Sequence, residues 1–195
     1  MNTVKMNFFL VILSFCILSC SGNKKQKEKN NLDENQTQII NMENQKIDFF
    51  LDAQPKHFSE ITISGKQFNS KDFIGQNLVV FIYDKGYLKR ETDDMSYDMP
   101  KELNEIYDTY KDKVSFVGII EGFVENDKEL NDYLNNSHIL FEQIDNTISY
   151  EKTKNLTYNI FCTPAKILIN KDGKVIHSSC GGGENTEFIS RLNEI

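Results

Sequence analysis

The sequence has little positive charge and little sulfur. Its 22 Lys and Arg residues are outnumbered by 29 Asp and Glu residues, and its formal net charge is −7. A chain of this sign is a poor match for a phosphate backbone, so we expect no nucleic-acid partner. Hydrophobic residues make up 39% and charged residues 26% of the 195-residue chain, which excludes a largely disordered protein. One folded domain with a terminal extension is the expected organisation.

The apolar stretch near the N-terminus is too short to span a bilayer. It covers Phe8–Leu18 and follows the positive charge of Lys5, which is the pattern of an export signal. The stretch runs into Leu18-Ser19-Cys20, which resembles the lipobox of bacterial lipoproteins, in which the cysteine becomes lipidated. We therefore expect residues 1–19 to be a lipoprotein signal peptide and Cys20 to carry membrane-anchoring lipid. An ordinary secretory leader and a signal anchor are the alternatives.

All three interpretations place the rest of the chain outside the cytoplasm, in the bacterial cell envelope on its periplasmic or surface-facing side. Residues 20–46 are rich in Asn, Gln, Lys and Glu and show almost no apolar periodicity. This composition predicts a flexible polar tether. Residues 47–195 then form the predicted folded domain.

Apolar patterns after Ile47 alternate between strand and helix. Leu78–Tyr83 is an unbroken apolar run, which is typical of a strand buried on both faces. Further strands are predicted at 61–63, 114–120 and 139–144, and a hairpin at 165–179 turns at Lys-Asp-Gly. Helices are predicted from apolar stripes at Leu103/Ile106/Tyr107/Tyr110, Leu130/Tyr133/Leu134 and Phe188/Ile189/Leu192, and over 147–155. A capping box at Asn126 and Glu129 begins the second helix.

This order predicts an α/β fold with a central mixed sheet flanked by helices. A strand, a helix and a second buried strand of these lengths imply a parallel crossover. The later hairpin adds antiparallel strands to the same sheet. No internal repeat occurs in the sequence.

The segment that leads into the hairpin and the last helix reads Tyr158-Asn159-Ile160-Phe161-Cys162-Thr163-Pro164. It resembles the corresponding segment of proteins in the thioredoxin-like superfamily. The branch it is most similar to is the redoxin and TlpA-type thiol-disulfide oxidoreductases of the bacterial envelope. Their segment typically reads Tyr, Gly, Val, any residue, Gly, Thr, Pro, and Cys162 replaces a Gly here. The resemblance implies that Pro164 is cis, that the Thr163 backbone contacts a substrate peptide, and that the loop holding Gly181 borders the active site.

The cysteine pair of that family is missing from its expected place. Relatives carry Cys-x-x-Cys where the first long strand turns into its helix, because the helix dipole there stabilises a thiolate. No cysteine occurs between Asp84 and Met99. Counted back from Pro100, Thr92 and Met95 stand at the two sulfur positions. Neither residue can exchange a disulfide, so the active site is predicted to be degenerate, and a peroxidatic cysteine is excluded for the same reason.

Cys162 and Cys180 are the two cysteines of the predicted domain. Centring the hairpin on Asp172 places Cys180 opposite Pro164, so the two thiols are diagonal neighbours. Three alternatives follow: a structural disulfide, a relocated catalytic redox pair, or two unpaired thiols. A soft-metal site with His177 is disfavoured because residues three apart on a strand point to opposite faces. We expect no metal and no cofactor.

Two functional hypotheses remain. One is an envelope thiol-disulfide oxidoreductase or redox accessory protein that acts through Cys162 and Cys180. The other is a catalytically silent module whose groove at Thr163, Pro164 and Gly181 binds a peptide or an envelope protein. In both, Cys20 attaches the protein to membrane lipid.

Overall fold

The computed structural model describes residues 46–89, 97–160, 162–182 and 185–195. The predicted signal peptide, Cys20, all but the last residue of the predicted tether, Thr92 and Met95 lie outside these ranges. None of the helices within them combines the length and apolar character that crossing a bilayer requires. The strands are β1 Ile47–Asp48, β2 Ser59–Ile61, β3 Gln67–Asn69, β4 Leu78–Asp84, β5 Ser115–Glu121, β6 Glu142–Asp145, β7 Tyr158–Asn159, β8 Ala165–Ile169 and β9 Val175–Cys180; the α-helices are α1 Met99–Tyr110, α2 Asp127–Ser137 and α3 Thr186–Asn193.

A five-stranded mixed sheet in the order β6-β5-β4-β8-β9 forms the centre of the domain. Strands β4, β5 and β6 are parallel, whereas β8 is antiparallel to β4 and β9 is antiparallel to β8. Helix α1 connects β4 to β5, and α2 connects β5 to β6. The predicted α/β fold with a mixed sheet is therefore confirmed.

Strand β4 is buried on both faces, as its apolar run predicts. Val79 and Phe81 face a core that includes residues from α1, α2 and α3. Val80 and Ile82 face a second core on the other side of the sheet. This alternation fixes the register of β4, because a one-residue slip would exchange its two buried sets of side chains.

Helices α1 and α2 begin at side chains that accept hydrogen bonds from free backbone amides. The Asp98 carboxylate accepts from the Lys101 amide at 3.0 Å, and Pro100 occupies the first turn of α1. Asn126 accepts from the Glu129 amide at 3.1 Å, as the predicted capping box requires. The Glu129 carboxylate reaches one residue further back than expected and accepts from the Glu125 amide at 2.7 Å.

The helix predicted over 147–155 is wrong, since this segment is an irregular loop. Asn146 is buried, and its side-chain oxygen accepts from the amides of Asn155 at 3.1 Å and Leu156 at 2.9 Å. Its amide nitrogen donates to the Leu156 carbonyl at 3.0 Å. The Asn146 side chain thus forms hydrogen bonds with backbone groups that would otherwise pair within a helix. Asn side chains compete with helix formation in this way.

Candidate functional site

The candidate site lies where β8 begins, beside the end of β4. Ala165 pairs with Ile82 in the sheet, so the preceding Pro164 lies next to the last residues of β4. The Thr163–Pro164 peptide bond is cis, as the resemblance implied. Pro164 is buried and Thr163 is half-buried. The cis-proline turn is therefore close to the surface at the end of the sheet that leads toward α1.

Cys162 and Cys180 form a disulfide whose Cα atoms are 5.8 Å apart. Cys162 is half-buried and Cys180 is exposed. The Gly181 amide donates a hydrogen bond to the Pro164 carbonyl at 2.8 Å. The structure thus brings together the candidate residues of the hairpin, and the alternative of two unpaired thiols does not apply to it.

The predicted register of the hairpin is wrong by one residue. Cys180 pairs with Ala165, whereas the sequence placed it opposite Pro164. The cause is a bulge: Ile169 pairs with Val175 but Leu168 pairs with His177, which leaves Ile176 as an extra residue on β9. The two cysteines are still near neighbours, because the shift moves Cys180 only one position along β8.

The backbone N–H and carbonyl of Thr163 form no hydrogen bond with any residue in the part of the chain that the structure describes. Backbone groups are strong donors and acceptors that the folded state normally pairs. A half-buried residue with both groups free is therefore able to pair with an added extended chain, as the exposed edge of a sheet does.

Tyr97 lines the site from the N-terminal side of α1. A Cβ atom added to Gly182 would lie 2.5 Å from the Tyr97 Cε1 atom, so the ring packs directly on the glycine backbone. The Tyr97 hydroxyl donates to Glu102 Oε1 at 3.2 Å. Burial, together with the Glu102 charge, raises the pKa of Tyr97, which keeps its hydroxyl protonated as a donor. No motif or spacing in the sequence singled out Tyr97 as a site residue.

A buried ion pair beneath the site was also missed. Lys166 Nζ lies 2.7 Å from Glu102 Oε1, and the two side chains are 4% and 20% exposed. Lys166 is on the same face of β8 as Leu168, which packs in the core that contains α1. The sequence did contain a sign of this pair: Lys166 is the single charged residue in the otherwise apolar strand Ala165–Ile169. A charge buried in such a strand requires a partner of opposite charge.

His177, the third residue of the soft-metal alternative, is buried on β9 and faces α3. Its Nε2 atom has no hydrogen-bond partner among the described residues, and its ring centroid lies 5.2 Å from that of Phe188 on α3. Burial lowers the pKa of His177. The described residues contain no group of three His, Cys, Asp or Glu side chains placed to hold a metal ion. The soft-metal alternative gains no support, since both sulfurs are bonded to each other.

The described residues that follow β4 form a short 3₁₀ helix, Lys85–Leu88. Lys85 forms an ion pair with Glu129 of α2, and its ammonium lies 5.0 Å from the centre of the Tyr133 ring. These contacts tie this turn to α2. Thr92 and Met95, the positions predicted to be degenerate, come later and lie outside the described residues, as does Cys20, the predicted lipidation residue.

Neither family models nor curated proteins match this sequence. Solved structures do. The thioredoxin domain of a thiol-disulfide oxidoreductase from Bacteroides vulgatus matches with a TM-score of 0.55 and 15% identity, over 73% of this chain and 97% of that one. A thiol:disulfide interchange protein of the thioredoxin family from Chlorobium tepidum matches with a TM-score of 0.51 and 18% identity, over 74% and 94%. The exposed lipoprotein thioredoxin of Streptococcus pneumoniae matches with a TM-score of 0.52 and 16% identity, over 72% and 100%.

These likenesses define the fold of the chain as thioredoxin-like. The neighbours have low sequence identity to this chain, so they establish its architecture and leave its chemistry to its own residues.

Proposed function

We propose that this protein is a lipid-anchored, thioredoxin-fold protein of the bacterial envelope that binds an extended polypeptide segment at Thr163, Pro164 and Gly181. The observation that carries the proposal is that the half-buried Thr163 has a backbone N–H and carbonyl that pair with none of the described residues. An extended partner would add its own backbone N–H and carbonyl to these free groups, the recognition mode by which peptides extend a sheet edge. A protein partner in the envelope supplies such a segment.

Two features support binding without the chemistry of the family's usual active site. Thr92 and Met95 stand where the resemblance places sulfurs, and neither side chain forms a thiolate. The cis-proline turn, by contrast, is retained, and the Gly181 amide closes it from the side of β9. The part of the site that would hold a peptide is therefore kept, and the sulfur pair at the helix start is not.

The envelope location rests on the sequence ahead of the domain. Lys5, the apolar stretch Phe8–Leu18 and the following cysteine support lipidation at Cys20 and removal of residues 1–19. The pneumococcal structure with the same fold is itself described as an exposed lipoprotein. Metabolic labelling with a radioactive fatty acid tests this part, and we expect Cys20→Ser to abolish the label.

The binding proposal is tested with a fluorescein-labelled, cysteine-free peptide of alternating Thr and Val with Lys at both ends, called here the Thr-Val probe. Its positive ends suit a protein with a net charge of −7. Thr163→Pro removes the amide donor, and we expect the Kd measured by fluorescence anisotropy to rise about fivefold or more. The matched control Thr163→Val keeps the backbone and should stay near wild type. Equal Kd values for both variants and wild type would contradict the proposal.

A second candidate function, thiol-disulfide exchange through Cys162 and Cys180, is favoured by the exposure of Cys180. A thiolate that attacks the Cys180 sulfur would form a mixed disulfide and release Cys162 as the leaving thiolate. Insulin reduction by dithiothreitol separates the candidates. We expect the full-length protein and its Cys162→Ser/Cys180→Ser variant to give the same background rate. Acceleration by wild type alone would favour exchange.

A further inference from the structure

We infer that the Cys162–Cys180 disulfide is a redox latch on the peptide site: it holds Thr163 in the binding conformation, and its reduction weakens binding. The inference rests on the proposed function and concerns the regulation of that site. It differs from a purely structural disulfide, which would affect global stability alone. It also differs from catalysis, because the sulfurs here are acted upon by a reductant.

The two ends of the disulfide are held very differently by the rest of the fold. Cys180 belongs to β9, pairs with Ala165 in the sheet, and is followed by the Gly181 amide that bonds to Pro164. The backbones of Cys162 and Thr163, by contrast, form no hydrogen bond among the described residues. The disulfide is therefore the tie that joins this two-residue segment to the firmly held strand.

Reduction should loosen that segment and leave the surrounding frame in place. Strands β8 and β9 are paired along their length through backbone hydrogen bonds, and the buried Lys166–Glu102 ion pair ties β8 to α1. Once released, Cys162 and Thr163 gain backbone freedom that a bound peptide would have to remove again. Ordering roughly one residue corresponds to about a tenfold loss of affinity.

Cys180 is an exposed residue whereas Cys162 is half-buried, so a reductant would approach the disulfide from the Cys180 side. The reductant would be a dithiol, such as the reduced form of an envelope thiol-disulfide oxidoreductase. Its first thiolate attacks Cys180 and breaks the intramolecular S–S bond, and Cys162 leaves as a thiolate that takes a proton. Its second thiol then releases Cys180 as a thiol. Two electrons and two protons move from the dithiol to the latch, and the reductant becomes a disulfide.

Anisotropy with the Thr-Val probe tests the latch on the full-length protein. We expect the Kd of the dithiothreitol-reduced protein to be about tenfold higher than that of the oxidised protein. The Cys162→Ser/Cys180→Ser variant should match the reduced form and should not respond to dithiothreitol, which makes it the matched control. Equal Kd values for oxidised and reduced wild type overturn the latch while leaving the binding proposal intact.

A measurement without any ligand keeps the two proposals separable. Backbone ¹⁵N relaxation should give order parameters near about 0.85 for Cys162 and Thr163 in the oxidised protein and below about 0.6 after reduction. Lys166 and Ser179, which pair in the sheet, should stay rigid in both states. If the probe binds neither form, the proposed function fails. If Thr163 has the same order parameter in both states, the latch fails whether or not any peptide binds.

Discussion

Lys166 and Glu102 face each other between β8 and α1, with Lys166 Nζ 2.7 Å from Glu102 Oε1. Tyr97 donates to the same carboxylate oxygen at 3.2 Å. The strand that begins immediately after the cis-proline is thereby fastened to the first turn of α1. Because the Lys166 side chain is only 4% exposed, water cannot replace its partner easily. The first prediction concerns this pair.

Glu102→Gln should lower the free energy of unfolding by about 3 kcal/mol, since it leaves a buried ammonium without its counter-charge. The double variant Lys166→Met/Glu102→Gln should recover most of that loss, because an apolar side chain of similar length then fills the space. Urea denaturation of the variants measures both effects.

The surface pair Lys128–Asp132 provides the matched control for this prediction. Its side chains are 85% and 61% exposed, and Asp132→Asn should change the free energy of unfolding by less than about 0.5 kcal/mol. If Asp132→Asn and Glu102→Gln lowered the free energy of unfolding by similar amounts, burial would not set the strength of the Lys166–Glu102 pair.

A second prediction concerns the contact between Gly182 and Tyr97. Gly182→Ala places a methyl group about 2.5 Å from the Tyr97 ring and should destabilise the fold by about 1–3 kcal/mol. In a Tyr97→Ala background the same substitution should be nearly neutral, because the clashing ring is gone. A double-mutant cycle by thermal denaturation measures the coupling, and additive effects would exclude direct packing.

Stability should also depend on pH through His177. Burial lowers the pKa of His177 below its ordinary value of 6.5; nearby Arg191 and Lys166 lower it further, and Glu187 opposes them. The unfolded chain therefore takes up a proton at a higher pH than the folded chain does. The free energy of unfolding should then be constant above the unfolded pKa and should fall as the pH drops through it.

Urea denaturation between about pH 8 and pH 5.5 measures this dependence. His177→Gln should remove the part of the slope that lies near the unfolded pKa of histidine. His138→Asn is the control: His138 is exposed with φ 51°, a conformation that Asn tolerates, and the variant should keep the wild-type profile. Identical slopes for wild type and His177→Gln would contradict the prediction.

The disulfide should contribute to stability in addition to its proposed role at the site. Cys162 and Cys180 are 18 residues apart, and a loop of this length is worth about 3 kcal/mol in the chain-entropy model. Cys162→Ser/Cys180→Ser should lose about this free energy of unfolding relative to the oxidised protein. Reduced wild type should behave like the variant. A variant as stable as oxidised wild type would show that the disulfide does not constrain the unfolded chain.

The parts of the fold that were predictable from sequence are those set by local pattern. The run Leu78–Tyr83 identified the central strand, because a short apolar run rich in β-branched and aromatic residues is typical of a strand buried on both faces. The turn at Asp172 located the hairpin and brought Cys162 and Cys180 close together. The bulge at Ile176 could not be predicted from the sequence, since nothing in the local sequence marks where a strand accepts an extra residue.

The missed features depend on contacts between distant segments. The helix predicted over 147–155 is wrong because Asn146 takes the backbone groups at Asn155 and Leu156, a competition that apolar periodicity does not report. The Lys166–Glu102 pair joins residues far apart in sequence, so the lone charge in β8 could be noticed but its partner could not be named.

The central claim is that the free Thr163 backbone pairs with an extended peptide, and ¹H–¹⁵N chemical-shift mapping of the oxidised full-length protein tests it most directly. Titration with the Thr-Val probe should shift the Thr163 amide most strongly, with smaller shifts at Cys162 and Gly181. Saturating shifts confined to other surfaces, with the Thr163 amide unmoved, would contradict the claim.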